Sequence, residues 1–152
     1  MKVFIGSDHA GLPLKHYLIY FIERFLGYDL EDVGAYDAKP VDYPDIALDV
    51  MKKVLKHEGS MGLLICATGQ GMNMAANCYK GIRTALCHDV YLARRSREHN
   101  NANILALGRE IAVDYGMVRD IVRIFLTTPF SNEERHVRRI KKMERPKKKL
   151  EL

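Results

Sequence analysis

The chain has no tryptophan, only three cysteines and five prolines in 152 residues, and no long apolar run. Without a stretch of roughly 18 apolar residues there is no membrane-spanning helix to expect. An odd number of cysteines with no CxxC pair excludes a disulfide framework and a zinc knuckle. No repeat of 20–50 residues points to a solenoid, and no Pro/Gly/Ser-rich linker divides the chain. One domain over residues 1–145 is expected, followed by a basic, flexible tail over 146–152. The opening MKVFIGSD lacks the basic, apolar and small-residue regions of a signal peptide, so a cytoplasmic location is expected.

Charge is unevenly spread. The net +5 suggests a nucleic-acid partner at first sight, but residues 1–130 hold 15 basic and 15 acidic side chains. The excess sits entirely in residues 131–152, with 9 basic and 4 acidic. Such a run is ordinarily a solvated helix with a frayed end, and no nucleic-acid partner is expected.

Short apolar runs alternate with amphipathic ones. Val3-Phe4-Ile5 predicts a buried strand ending at Gly6-Ser7-Asp8-His9, and Leu12 to Leu26 a helix with Pro13 in its first turn and Gly27 past its end. Tyr28 to Val33 predicts a strand. Asp42-Tyr43-Pro44-Asp45 opens a helix carrying Ile46, Val50 and Val54 and stopping near Gly59. Gly62 to Cys66 predicts a third strand, followed by a Gly-rich turn and a helix from about Met72 to Tyr79. The same alternation gives a strand over Thr84–Cys87, a helix over Asp89–Arg97, a strand over Ile104–Leu107 and a helix over Val113–Leu126. Strands without polar alternation, each followed by a helix, indicate an α/β protein: a three-layer, doubly wound, Rossmann-like domain around a five-stranded parallel sheet. An additional C-terminal helix is expected over Asn132–Glu144.

Open parallel sheets bind ligands at the carboxyl ends of their strands. Three such ends carry polar groups: Ser7-Asp8-His9, Cys66-Ala67-Thr68-Gly69-Gln70-Gly71 and His88-Asp89. In the second, Gly69 and Gly71 free the backbone to turn sharply and aim several N–H groups at one point, which suits a phosphate or a developing oxyanion. The alternative is a turn that only lets strand and helix pack. A dinucleotide fingerprint fits worse, because its third glycine would fall on Met74; Asp89 would be the ribose-binding acid. The Walker pattern is absent. Cys66 is either a small buried hydrophobe or, beside a helix N-terminus that favours the thiolate, a base or nucleophile. Cys78 and Cys87 lack such a turn and are expected to pack. His99 stands in the polar junction Arg97-Glu98-His99-Asn100-Asn101-Ala102-Asn103, whose groups must find partners in each other or in a ligand. Arg135 and Arg139, four apart, share one helix face and can clamp a phosphate or form a solvated stripe.

Taken together, GSDHAG at 6–11, DYP at 42–44, CATGQGMNMAAN at 66–77, GIR at 81–83, REHNNAN at 97–103 and RHVRR at 135–139 resemble the ribose-5-phosphate isomerase B family, which includes the galactose-6-phosphate isomerase subunits. The resemblance implies a phosphosugar isomerase that interconverts D-ribose 5-phosphate and D-ribulose 5-phosphate through a cis-enediolate, with neither metal nor organic cofactor. By motif position it implies Cys66 as the base, the amides of Ala67, Thr68, Gly69, Gln70 and Gly71 with the Thr68 hydroxyl as the enediolate cradle, and His99 as the ring-opening group. Asp8 and Tyr43 would contact sugar oxygens, His9, Arg135 and Arg139 the phosphate, and Asn100 the pocket wall. The family site lies between two subunits, so the resemblance implies a homodimer with shared active sites and leaves a tetramer open.

Relatives without the cysteine use a glutamate six residues later; here that position is Met72, which cannot take a proton. The chain departs from the pattern at Ala67, which replaces a glycine, at Cys78, which replaces a basic residue, and at Gly108-Arg109-Glu110, where the arginine is displaced by one. Either Arg109 still reaches the phosphate or Arg135 and Arg139 hold it alone. A six-carbon substrate, allose or galactose 6-phosphate, and a phosphosugar-binding subunit without chemistry are the alternatives.

Overall fold

A computed structural model of the chain describes residues 1–110 and 114–144. The tail expected over 146–152 and the helix start expected at Val113 lie outside the described residues. The chain runs β1 (Lys2–Ser7), α1 (Leu12–Phe21) continuing into a π-helical turn (Ile22–Leu26), β2 (Asp29–Gly34), α2 (Tyr43–Lys56), β3 (Met61–Cys66) and α3 (Gln70–Ala76). It continues through β4 (Thr84–Leu86), α4 (Val90–Asn100), β5 (Ile104–Gly108), α5 (Tyr115–Thr127) and α6 (Glu134–Met143).

Local chemistry sets these boundaries. Gly27 ends the first helical run in the left-handed region (φ 66°), its N–H closing on Ile22 O at 2.9 Å. Asp89 caps α4 by accepting from Leu92 N at 2.7 Å, and Asp114 caps α5 by accepting from Gly116 N at 2.7 Å. The ends of α3, α4 and α6 differ from the sequence expectation. Helix α3 begins at Gln70, directly after left-handed Gly69, and stops at Ala76. Helix α4 runs on to Asn100 because Asn101 supplies the left-handed cap (φ 46°) that asparagine tolerates. Helix α6 starts two residues late, after left-handed Asn132 (φ 56°).

All strands are parallel, in the order β2-β1-β3-β5-β4. The chain steps from β1 out to β2, returns to β3 on the other side of β1, passes to the edge for β4 and comes back to insert β5. The first reversal opens a crevice between the carboxyl ends of β1 and β3. Alternate side chains feed two layers. Val3, Ile5, Leu63, Ile65, Leu105 and Leu107 pack with α1, α4 and α5, whereas Phe4, Leu64, Cys66 and Ile104 pack with α2 and α3.

One packing expectation fails. Cys87 is buried, but Cys78 is exposed, because α3 ends one turn sooner than its pattern suggested and leaves Cys78 beyond the helix on the outer surface.

Candidate active site

Cys66 is the last residue of β3 and only 5% exposed. Its Sγ accepts the Gly69 N–H at 3.1 Å. This backbone donor holds the sulfur at the start of the 67–71 turn. Gly69 makes this possible by standing at φ 79°, where a Cβ would also lie 2.9 Å from the Leu107 carbonyl carbon. Ala67 is not among the residues with positive φ, so its methyl group is accommodated without backbone strain. Gln70 N–H reaches back to Thr68 Oγ1 at 3.4 Å. The amides of Gly71 and Met72 precede the first α3 bond, Asn73 N–H to Gly69 O at 3.1 Å, and are the helix's orphan donors.

Gly71 serves a purpose other than the turn. It is helical, and its missing side chain admits the Tyr43 ring: a Cβ there would lie 2.7 Å from Tyr43 Cζ. Tyr43, the first residue of α2, thus sits against the start of α3. Across the crevice, Asp8 is 7% exposed, and its Oδ1 accepts the Gly11 N–H at 2.9 Å, leaving Oδ2 as the remaining acceptor. His9 is exposed, with Nδ1 3.5 Å from Val41 N. Arg109 begins the turn after β5 and donates its N–H to Cys66 O at 2.9 Å; its side chain is exposed at this same end of the sheet. Asp8, His9, Tyr43, Cys66, the 67–71 turn and Arg109 therefore share one end of the molecule.

His99, Asn100, Arg135 and Arg139 do not join them. Helix α4 runs back alongside the sheet, and Asn103, just past it, accepts the Gly62 N–H at 2.9 Å, at the amino end of β3. In the β3–β5 register Gly62 faces Ile104 and Cys66 faces Gly108, four residues or roughly 13 Å further on. A second cluster forms at this amino end. The His99 and His136 rings lie against each other, tilted by 33° with centroids 4.3 Å apart, and His136 Nδ1 meets Ser131 Oγ at 2.7 Å. The Ser131 N–H bonds Glu98 O at 3.1 Å, tying the segment before α6 to α4. Arg135 pairs with Glu133 at 2.7 Å, which holds that carboxyl below the usual carboxylate range, and Arg139 lies exposed one turn on.

The polar junction divides its labour. Asn103 accepts from Arg83 N at 2.9 Å and donates to Gly81 O at 2.8 Å. Buried Arg97 donates to Asn101 Oδ1 (3.0 Å), Ala102 O (2.5 Å) and Thr128 O (3.2 Å). These residues satisfy one another, which leaves His99 half-buried and Asn100 exposed. Arg97 and His136 had no role in the sequence reading, although His136 lies four residues before buried Ile140, on the inner face of α6. Asp89 is spent on capping α4, so the dinucleotide alternative loses its ribose-binding acid.

A family model described as ribose/galactose isomerase matches residues 3–143. The chain belongs to this family. A Bacillus subtilis relative, whose name says only sugar phosphate isomerase and that provisionally, is 43% identical over 144 residues, covering 94% of this chain and 95% of its own length. Ribose-5-phosphate isomerase B of Escherichia coli is 36% identical over 140 residues, 91% of each chain. The solved structure of ribose-5-phosphate isomerase B from Clostridium thermocellum superposes with a TM-score of 0.90 at 44% identity, covering 95% of both chains. As a member of the ribose/galactose isomerase family the chain is a sugar phosphate isomerase in kind. Among its described residues no helix is long and apolar enough to cross a membrane, and no group of three or more His, Cys, Asp or Glu is placed to hold a metal ion.

Proposed function

We propose that the protein interconverts D-ribose 5-phosphate and D-ribulose 5-phosphate, with Cys66 as the base. The observation that carries this reading is the Gly69 N–H directed at Cys66 Sγ, in a turn whose next amides lack helical partners. After ring opening, the thiolate takes the C2 proton and the electron pair moves onto O1, giving an enediolate whose oxygens the 67–71 amides and the Thr68 hydroxyl hold. The thiol returns the proton to C1 while the O2 proton passes to O1, leaving the ketone at C2. His99 moves the proton that opens the furanose, Asp8 and Tyr43 contact sugar oxygens, and Asn100 lines the pocket. His9, Arg135 and Arg139 hold the phosphate, and Arg109, at the Cys66 end, supplements them.

The two clusters lie at opposite ends of one sheet, which supports a homodimer in which a second copy brings its amino-end cluster to the first copy's Cys66. Mixing Cys66→Ser with His99→Asn tests it. Each variant alone is expected to be nearly inactive, whereas random re-pairing restores one intact site per mixed dimer, roughly a quarter of wild-type activity. No recovery would count against sharing.

The activity itself is tested by following C2 proton exchange in ribose 5-phosphate. Cys66→Ser is expected to bind the sugar phosphate and lose nearly all turnover; undiminished turnover would remove Cys66 as the base. Comparing kcat/KM for ribose 5-phosphate and allose 6-phosphate decides the carbon number of the substrate.

A further inference from the structure

Lys15 is the one lysine among the described residues that is wholly buried, at 0% exposure, and no step of the proposed reaction uses it. Its ammonium bonds Asp32 Oδ1 at 2.6 Å, Asp32 Oδ2 at 2.8 Å and Ala35 O at 2.5 Å. The Tyr36 ring lies 5.3 Å from the same nitrogen. A buried cation is costly unless paired and hydrogen-bonded, and here its three donors have oxygen partners. A fold that needed only to fill this space could do so with apolar side chains, often at no loss of stability.

The partners are informative in their location. Ala35 is held at both ends of its residue: its N–H bonds Ser7 O at 2.6 Å, and its carbonyl accepts from Lys15. Asp32 Oδ1 also accepts the Gly34 N–H at 3.0 Å. From Ala35 the chain crosses the carboxyl end of the sheet, passes Val41, whose N–H faces His9 Nδ1, and reaches Tyr43 against Gly71. Lys15 itself stands in the first turn of α1, which begins three residues after His9.

We propose that Lys15 and Asp32 are positioning residues for phosphosugar binding, clamping Ala35 so that the 35–43 segment holds His9 and Tyr43 in register with the Cys66 turn. The proposal rests on the phosphosugar reading of the Cys66 site. Neither residue touches the reacting atoms, so loosening the clamp misplaces groups that bind the substrate and spares the proton transfer at Cys66.

Lys15→Met is the direct test. KM for ribose 5-phosphate is expected to rise about tenfold with kcat within about threefold of wild type. Leu18→Ala, which removes a buried apolar side chain further along α1, is the control: it should lower Tm and leave KM unchanged. An unchanged KM in folded Lys15→Met, or an equal rise in Leu18→Ala, would overturn the proposal. If Lys15→Met does not fold, Asp32→Asn keeps the volume and weakens the same clamp; a raised KM there supports the clamp and an unchanged KM refutes it. Should the wild-type protein not isomerise ribose 5-phosphate, the isomerase reading fails by itself. The clamp is then judged by inorganic phosphate binding measured by calorimetry, which must weaken about tenfold in the variant and whose constancy would refute it.

Discussion

The imidazole of His136 lies against that of His99, 4.3 Å between centroids with the planes tilted by 33°, and its Nδ1 is engaged by Ser131 Oγ. His136 is 2% exposed, and burial, followed by the neighbouring His99, pulls its pKa below the ordinary histidine value. The folded protein therefore keeps this ring neutral where the unfolded chain would protonate it.

A pH dependence of stability follows. A group with a lowered folded pKa binds more protons when unfolded, so its contribution is complete above the ordinary value of about 6.5 and declines as the pH falls through it. Thermal melts are expected to show Tm falling between about pH 7.5 and pH 5.5, and His136→Asn, whose amide can retain the Ser131 bond, is expected to flatten that slope. An identical slope in the variant would mean another group is responsible.

Gly71→Ala separates helix stability from binding. Alanine is favoured in a helix by about 1 kcal/mol, yet its Cβ would meet the Tyr43 ring. Folding should survive while Tyr43 is displaced, raising KM for the sugar phosphate about fivefold or more. Unaltered KM would show that the ring's position is immaterial.

Arg97→Met removes a buried cation that binds two backbone carbonyls and Asn101. Burial already lowers the Arg97 pKa, and no carboxylate faces it among its described hydrogen bonds. Stranding those oxygens should cost about 2 kcal/mol in chemical denaturation and loosen the link between α4 and the segment leading to α6. A loss under about 0.5 kcal/mol would contradict this account.

Thiol labelling distinguishes the cysteines. Burial pushes the Cys87 thiol up to about 11, whereas Cys78 is exposed. Iodoacetamide at about pH 7.5 should modify Cys78 in the native protein and Cys87 only on unfolding. Mass spectrometry reads this directly, and Cys78→Ser should keep full activity.

The layer architecture and the central strands β1, β3 and β5 were legible because buried parallel strands are short apolar runs bounded by Gly, Asp and Asn, whereas the edge strands β2 and β4 are only half-buried and carry a weaker signal. The Cys66 turn was legible for a local reason: Gly69 and Gly71 mark it within one stretch of chain. Their separate duties were not, since the Gly71 requirement comes from Tyr43, 28 positions earlier. The exposed position of Cys78 was not legible because apolar spacing overshoots the end of α3. The opposite placement of Cys66 and His99 depends on the direction in which α4 runs, which no single motif states. Lys15 did leave a trace, a charged residue between Leu14 and Leu18 on the inward side of α1.

The insertion of β5 between β3 and β4 bears on how the chain reaches this structure. Among the described residues strand β4 has β5 as its only neighbour, so when Thr84–Leu86 leaves the ribosome its partner strand has yet to be made. The β2-β1-β3 half can assemble from the first 66 residues, but its inner edge stays open until Ile104–Gly108 arrives. Closing that edge joins residues about forty positions apart, a slow, non-local step during which an unpaired strand edge is open to other chains. Folding yield should therefore be more sensitive to substitutions in β5 than to those in β2.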